Sequence, residues 1–335
     1  MSSRPLAVLA MDSDLPARLF DEATRHRMLQ VLDVDFSRPV GTFDDVDPEQ
    51  LTSAEVLITG WGSPRIDSGV LDRAPALRAV LHAAGSVRSH VDPVCWERGI
   101  LVTTAADANA QPVAEYALAM IILSAKEAFR AQALYRTSQK LDHRSEFASV
   151  GCNGRRVGLV GASRIGRRVV ELLAGFDFEI WLSDPYVDAR EASRLGVRLA
   201  PLEDLLRACD VVSLHAPLLP STHHLLDAGR LALMRDGATL VNTARGGLVD
   251  HDALVAELET GRIRAVLDAT DPHEPLEADS PILALDNVVV TPHVAGALGN
   301  ELFRLGAHAV ENAVRLVGSR PLQGLVSLDE LARMA

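Results

Sequence analysis

The stretch Arg156-Val157-Gly158-Leu159-Val160-Gly161-Ala162-Ser163-Arg164-Ile165-Gly166 decides the fold. A short apolar run breaks at Gly161, and a helical pattern opens a few residues later. Glycine at 161 permits a tight turn out of a strand, and glycine at 166 lets the helix pack close to the sheet. The N–H groups at the start of that helix, over Arg164, Ile165 and Gly166, form a place for a pyrophosphate, helped by the helix dipole. The usual spacing has a glycine where this chain has Ser163, whose Cβ crowds a phosphate while its hydroxyl offers a hydrogen bond. The next apolar run ends in Asp184, 18 residues past Gly166 (184 − 166). A carboxylate about 20 residues on is placed to accept hydrogen bonds from ribose hydroxyls. Its charge repels a 2′-phosphate, and Pro185-Tyr186 brings no cation, so NAD is favoured over NADP. The competing readings are a plain structural turn at 161–166 and Asp184 as a turn former before Pro185.

Working outward, apolar runs at 6–10, 56–59, 77–81 and 100–103 alternate with helical patterns, and a second series follows at 156–160, 179–183, 211–215, 238–242, 265–268 and 288–291. Runs of this length between helices are those of buried parallel strands, so an α/β protein with two doubly wound parallel-sheet domains is expected. A long helical pattern over 112–137, with Pro112 in its first turn, is apolar nearly all round in its middle and should be buried between domains or subunits. Another helix is expected over 300–317. Each is a natural crossing point. A cofactor domain at 108–298, inserted into a substrate domain of 1–107 and 299–335, therefore follows.

With 335 residues the chain is long enough for two such cores. A net charge of −12 argues against nucleic acid as a main partner. Cys95, Cys152 and Cys209 fit neither a disulfide framework nor a zinc set, which points to a reducing cytoplasm. His223-His224 lacks the spacing of a metal pair, and no metal is expected. The N-terminal apolar run breaks too early for a signal peptide, and the richest apolar stretch, 116–125, is too short to span a bilayer.

Three polar residues carry the chemistry. Arg245 follows the 238–242 run, at a strand end where ligands bind in such sheets, and its guanidinium can clamp a carboxylate through two parallel hydrogen bonds. His293 lies beyond 288–291, between Pro292 and the small Val294-Ala295-Gly296, and imidazole is suited to proton transfer near neutral pH. Glu274, in Asp271-Pro272-His273-Glu274-Pro275, could fix the imidazole's tautomer; Asp271 competes for that role. The blander readings are a surface arginine, a structural histidine and a solvated acidic loop. Together the three suit a 2-keto or 2-hydroxy acid.

These motifs, with His215-Ala216-Pro217-Leu218, Asn242-Thr243-Ala244-Arg245-Gly246-Gly247-Leu248-Val249-Asp250, Leu267-Asp268 and Thr291-Pro292-His293, resemble the D-isomer-specific 2-hydroxyacid dehydrogenase family. The resemblance covers most of the chain. It implies a Rossmann NAD-binding domain inserted into a flavodoxin-like substrate domain, with Arg245, Glu274 and His293 as catalytic residues. It further implies cofactor contacts from Gly161, Ser163, Arg164, Ile165, Gly166, Asp184, His215, Pro217, Thr243, Ala244, Asp268, His293 and Gly296. Substrate contacts are implied for Ala84, Gly85, Ser86, Asn109 and Arg245, with Trp61 in the first substrate loop. Three departures stand out: Ser163 replaces a glycine, the loop before Glu274 is one residue longer than usual, and Gly60-Trp61-Gly62 stands where some members carry a cation. A homodimer packed through the cofactor domain is expected. No regulatory domain is expected after the last helix, which makes the phosphoglycerate enzymes that carry one a poorer match. The alternative from another class is an NAD(H)-sensing, corepressor-like interaction protein on the same fold.

Overall fold

The computed structural model describes residues 4–138, 143–148 and 150–331. It divides into two compact units: residues up to Asn109 with those from Ala297 onward, and Ala110–Gly296. The sequence reading sets these borders at 107/108 and 298/299.

The first unit holds a five-stranded parallel sheet of β1 (Leu6–Ala10), β2 (Asp33–Val34), β3 (Val56–Thr59), β4 (Ala79–His82) and β5 (Leu101–Thr104), in the order β2-β1-β3-β4-β5. β3 and β4 are buried along their whole length, as strands covered on both faces must be. One face packs Leu9, Ile58 and Leu81 against Leu305, Ala309 and Ala313 of the Leu302–Val317 helix. The other packs Val8, Leu57 and Val80 with Leu51, Ile66 and Cys95.

The second unit holds β6 (Arg156–Val160), β7 (Glu179–Ser183), β8 (Arg198–Leu199), β9 (Val211–Leu214), β10 (Thr239–Asn242), β11 (Arg264–Leu267) and β12 (Val288–Val290). All pair in parallel in the order β12-β11-β10-β9-β6-β7-β8. The chain leaves β6 towards β7 and β8, then returns to β9 on the other side. The crevice above β6 and β9 is therefore the switch point at which open α/β sheets bind ligands. Many of the acidic residues are spent at helix starts: Asp21, Asp188, Asp227 and Asp250 each accept an N–H from the first turn they precede.

The long helical pattern over 112–137 is two helices. Ala106–Ala125 starts earlier than expected, so Pro112 lies inside it and removes the hydrogen bond that the Ala108 carbonyl would accept. Glu127 then takes a left-handed conformation, φ 48°, and breaks the run before Ala128–Thr137. The first helix buries one stripe, including Ala114, Ala117 and Ile121, while the second buries no residue. β4 begins at Ala79 rather than 77 because the Leu77 N–H is turned back to Ala74. Among the described residues no helix is long and apolar enough to cross a membrane.

Gly306 marks the closest packing in the first unit, since a Cβ there would lie 1.9 Å from the Leu19 carbonyl oxygen. Gly306→Ala is expected to destabilise by about 1–3 kcal/mol through overpacking against backbone, read as a lower urea midpoint at unchanged m. A midpoint equal to the unaltered protein's would show that the two segments part freely.

Candidate active site

The glycine turn at the end of β6 is required by backbone on both sides. Gly161 has φ 101°, and a Cβ on it would lie 2.6 Å from the Ala216 nitrogen; a Cβ on Gly166 would lie 2.1 Å from the Gly161 carbonyl oxygen. Ser163 is the N-cap of the Arg164–Leu173 helix: its hydroxyl accepts the Gly166 N–H at 3.3 Å. The departure from glycine thus buys a cap and leaves the hydroxyl hydrogen to donate. Arg164 opens the helix, and Ile165, partly buried, packs against the apolar core of this unit.

Asp184, just past β7, joins its strand to this turn. One carboxylate oxygen accepts the Ala162 N–H at 2.7 Å and the other the Tyr186 N–H at 2.8 Å. Each oxygen keeps lone-pair capacity for a ribose hydroxyl. Across the crevice, after β9 and β10, both ring nitrogens of His215 and the hydroxyl of Thr243 are buried without a protein partner. Burial lowers the His215 pKa to about 4, so the ring is neutral near pH 7. Unpaired buried polar atoms call for an occupant, and the position of His215 beside the glycine turn, in the unit that ends β7 in Asp184, fits a dinucleotide. Pro217 is fixed by its carbonyl, which accepts the Thr222 hydroxyl at 2.6 Å. Ala244 is held by its N–H on Asn242 Oδ1 at 3.1 Å.

Asn242, 1% exposed at the end of β10, has a role that the sequence reading missed: its amide also donates to the Arg245 carbonyl at 2.8 Å, bracketing the loop that carries the guanidinium. Arg245 is half-buried, and its Nη1 donates to the Ala244 carbonyl at 2.7 Å. Burial lowers its pKa and the charge of Glu274 opposes that shift. Among the described residues no carboxylate forms an ion pair with it, so a guanidinium stands charged and ready for an anion.

Asp268 anchors the loop that follows β12. It is 1% exposed at the end of β11, and its carboxylate accepts from Thr291 Oγ1 at 2.6 Å, Val294 N at 2.8 Å and Ala295 N at 2.8 Å. Its carbonyl accepts the His293 N–H at 3.0 Å. Thr291 Oγ1 lies 2.8 Å from the Tyr116 hydroxyl. The threonine hydrogen is given to Asp268, so Tyr116 is the donor and a relay Tyr116–Thr291–Asp268 results. This network holds His293 at φ 56°, a left-handed conformation uncommon outside glycine. The Nδ1 of His293 lies 2.9 Å from Glu274 Oε1. Asp271 instead lies against Gly247, where a Cβ would be 3.6 Å from its Oδ1. Gly296 directly follows the anchored Ala295.

The remaining expected residues belong to the other unit. Trp61, 45% exposed, is tied by its carbonyl to the Asp12 N–H at 2.9 Å. The Ala84 carbonyl accepts the Ala105 N–H at 3.0 Å, and no backbone carbonyl among the described residues takes the Gly85 or Ser86 N–H. Asn109 Oδ1 accepts the Ala297 N–H at 3.0 Å, so it links the two places where the chain crosses this unit's border. Among the described residues no group of three His, Cys, Asp or Glu side chains is placed to hold a metal.

A doubly wound domain with a dinucleotide crevice, joined to an arginine, a glutamate and a histidine on strand-end loops, defines a nicotinamide-dependent class. Residues 118–295 match the model of the D-isomer specific 2-hydroxyacid dehydrogenase, NAD binding domain. The chain is 34% identical over 271 residues to a glyoxylate reductase of Aeropyrum pernix, covering 79% of this chain and 81% of that one. It is 37% identical over 267 residues to a D-3-phosphoglycerate dehydrogenase of Mycobacterium leprae, covering 79% of this chain and 49% of the relative, so it spans about half the relative's length. The fold is similar to that of a phosphoglycerate oxidoreductase from Rhizobium etli, with TM-score 0.83, 27% identity, and coverage of 96% of this chain and 98% of that one. The chain belongs to the D-isomer specific 2-hydroxyacid dehydrogenase family, and its cofactor is NAD.

Replacing Asp268 with Ala leaves the buried Ala295 N–H and the partly buried Thr291 hydroxyl and Val294 N–H without their acceptor. A loss of roughly 3 kcal/mol or more is expected from such unsatisfied donors, and Asp268→Asn, which keeps an oxygen, should lose less. Equal urea midpoints for Asp268→Ala and the unaltered protein would contradict the anchoring role.

Proposed function

We propose that this protein interconverts a 2-keto acid and its D-2-hydroxy acid with NAD(H). The observation that carries this reading is the 2.9 Å contact between His293 Nδ1 and Glu274 Oε1, in the unit that also carries the half-buried Arg245. Glu274 accepts from Nδ1–H, so in the neutral ring Nε2 carries the lone pair that takes a hydroxyl proton during oxidation. In the imidazolium, Nε2–H is the proton given to the new alkoxide during reduction. Arg245 grips the substrate carboxylate and stabilises charge as it grows on the carbonyl oxygen. The Gly85 and Ser86 amides hold the carboxylate as well. Ser163, Asp184, His215 and Thr243 orient the dinucleotide, which when bound supplies or accepts the hydride.

The substrate class is the small 2-keto acids, including glyoxylate, hydroxypyruvate and branched or aromatic members. Trp61, in place of a cation, favours an unphosphorylated side chain. The protein works as a homodimer packed through the cofactor unit. Supporting this, the Ala128–Thr137 helix buries none of its residues, Tyr135 on it is 76% exposed, and a cavity lined by Phe129, Leu134, Val266 and Val289 lies beside it. The free Cys95 and Cys209 thiols, raised to about 11 and 12 by burial, suit a reducing cytoplasm.

The test is NADH oxidation with a panel of these 2-keto acids, followed by chiral analysis of the product. At least one acid should be reduced, to the D isomer, and Arg245→Lys should lower kcat/KM about 100-fold through the lost bidentate contact. A protein that binds NADH but reduces none of them would overturn the reading in favour of an NAD(H)-sensing role.

A further inference from the structure

Beneath the loops that follow β3 and β4 lies a pair of buried imidazoles that no step above uses. Thr59 and His82 end these strands, face each other in register, and are 0% and 2% exposed. Thr59 Oγ1 lies 2.8 Å from His82 Nδ1. The same ring hydrogen-bonds the Ser86 backbone in a contact that favours the ring's proton, which makes the Ser86 carbonyl the acceptor. A neutral imidazole has one donor and one acceptor nitrogen. With its N–H given to Ser86, the nitrogen facing Thr59 is the acceptor and the threonine hydroxyl donates.

His90 closes the other side, its ring centroid 4.7 Å from that of His82 and its Nε2 buried without a protein partner. Burial lowers the His90 pKa to about 4, while burial and the neighbouring ring lower that of His82 well below the ordinary range. Both rings are therefore neutral near pH 7, the state in which the donor and acceptor pattern holds. Peptide geometry carries the effect outward. In a trans peptide the C=O and the next N–H point in opposite directions, so drawing the Ser86 carbonyl inward turns the Val87 N–H outward and fixes the turn of residues 83–86.

We propose that His82 is a positioning residue of the carboxylate-binding loop: oriented by Thr59 and backed by His90, it fixes the Ser86–Val87 peptide and so holds the turn that presents the Gly85 and Ser86 amides to the substrate. This rests on the 2-keto acid reading given above. Nothing in the linear sequence marks the role, because His82 is only the polar residue that ends an apolar run and His90 lies in a polar stretch eight residues on.

The test compares Thr59→Val, which keeps the shape and removes the donor, with His82→Leu and His82→Gln, using the best keto acid at saturating NADH. The expected result is a keto-acid KM raised about tenfold in Thr59→Val and further in His82→Leu, the size of one lost buried hydrogen bond or more. The kcat should change less than about threefold and the NADH KM should stay put, as for lost ground-state binding. His82→Gln, which retains an N–H donor, should recover part of the loss. A keto-acid KM within twofold of the unaltered enzyme's in a folded His82→Leu overturns the proposal, as does a fall in kcat at unchanged KM. If His82→Leu does not fold, Thr59→Val decides on the same criteria. An active enzyme with unmoved KM sinks the positioning role alone. An unaltered protein that reduces no keto acid sinks the reaction and the positioning role with it.

Discussion

A buried carboxylate is costly unless every lone pair facing the protein finds a donor. At the end of β11 Asp268 meets that condition with three donors from residues 291–295 and fixes the loop that carries His293. The rest of the candidate site around His293 hangs on this constraint. The left-handed backbone at His293 persists because its own N–H and those of the next two residues are all claimed by Asp268. With the backbone so held, the imidazole meets Glu274 rather than Asp271.

The same logic, a strand end that binds the loop of a neighbour, recurs across the sheet. Asp184 at the end of β7 holds the turn after β6, and Asn242 at the end of β10 brackets Arg245. Each uses backbone N–H or C=O groups that the sheet has released, so hydrogen bonds order the loops alongside the apolar burial of residues such as Leu248 and Ala295. Polar side chains at these ends leave the crevice lined with lone pairs and donors, where His215 and Thr243 still have capacity. Catalysis by orientation and preplaced charge needs that kind of rigidity.

What the sequence made legible were features whose cause is local. The glycines at 161 and 166 are dictated by the turn they form, and Asp184 by its distance from that turn. Strands such as Val56–Thr59 and Glu179–Ser183 show as apolar runs because they are buried on both faces. The two-residue edge strands Asp33–Val34 and Arg198–Leu199 are too short to show a period. Pro112 misled because a proline signals a first turn only when nothing upstream can start the helix, and Ala105 does, accepting the Asn109 N–H at 2.9 Å. The work of Asp268 was illegible because its partners lie 23–27 residues further on. The choice of Glu274 over Asp271 turns on loop geometry that spacing alone does not specify.

The most direct measurement is single-turnover keto-acid reduction by His293→Ala at saturating NADH, with NADH affinity followed in parallel by fluorescence. Loss of a general acid with binding intact should lower the rate by at least about 100-fold while the NADH Kd stays within twofold. A variant that reduces the keto acid at the unaltered rate would contradict the account, because the loop that Asp268 holds in place would then carry no chemistry.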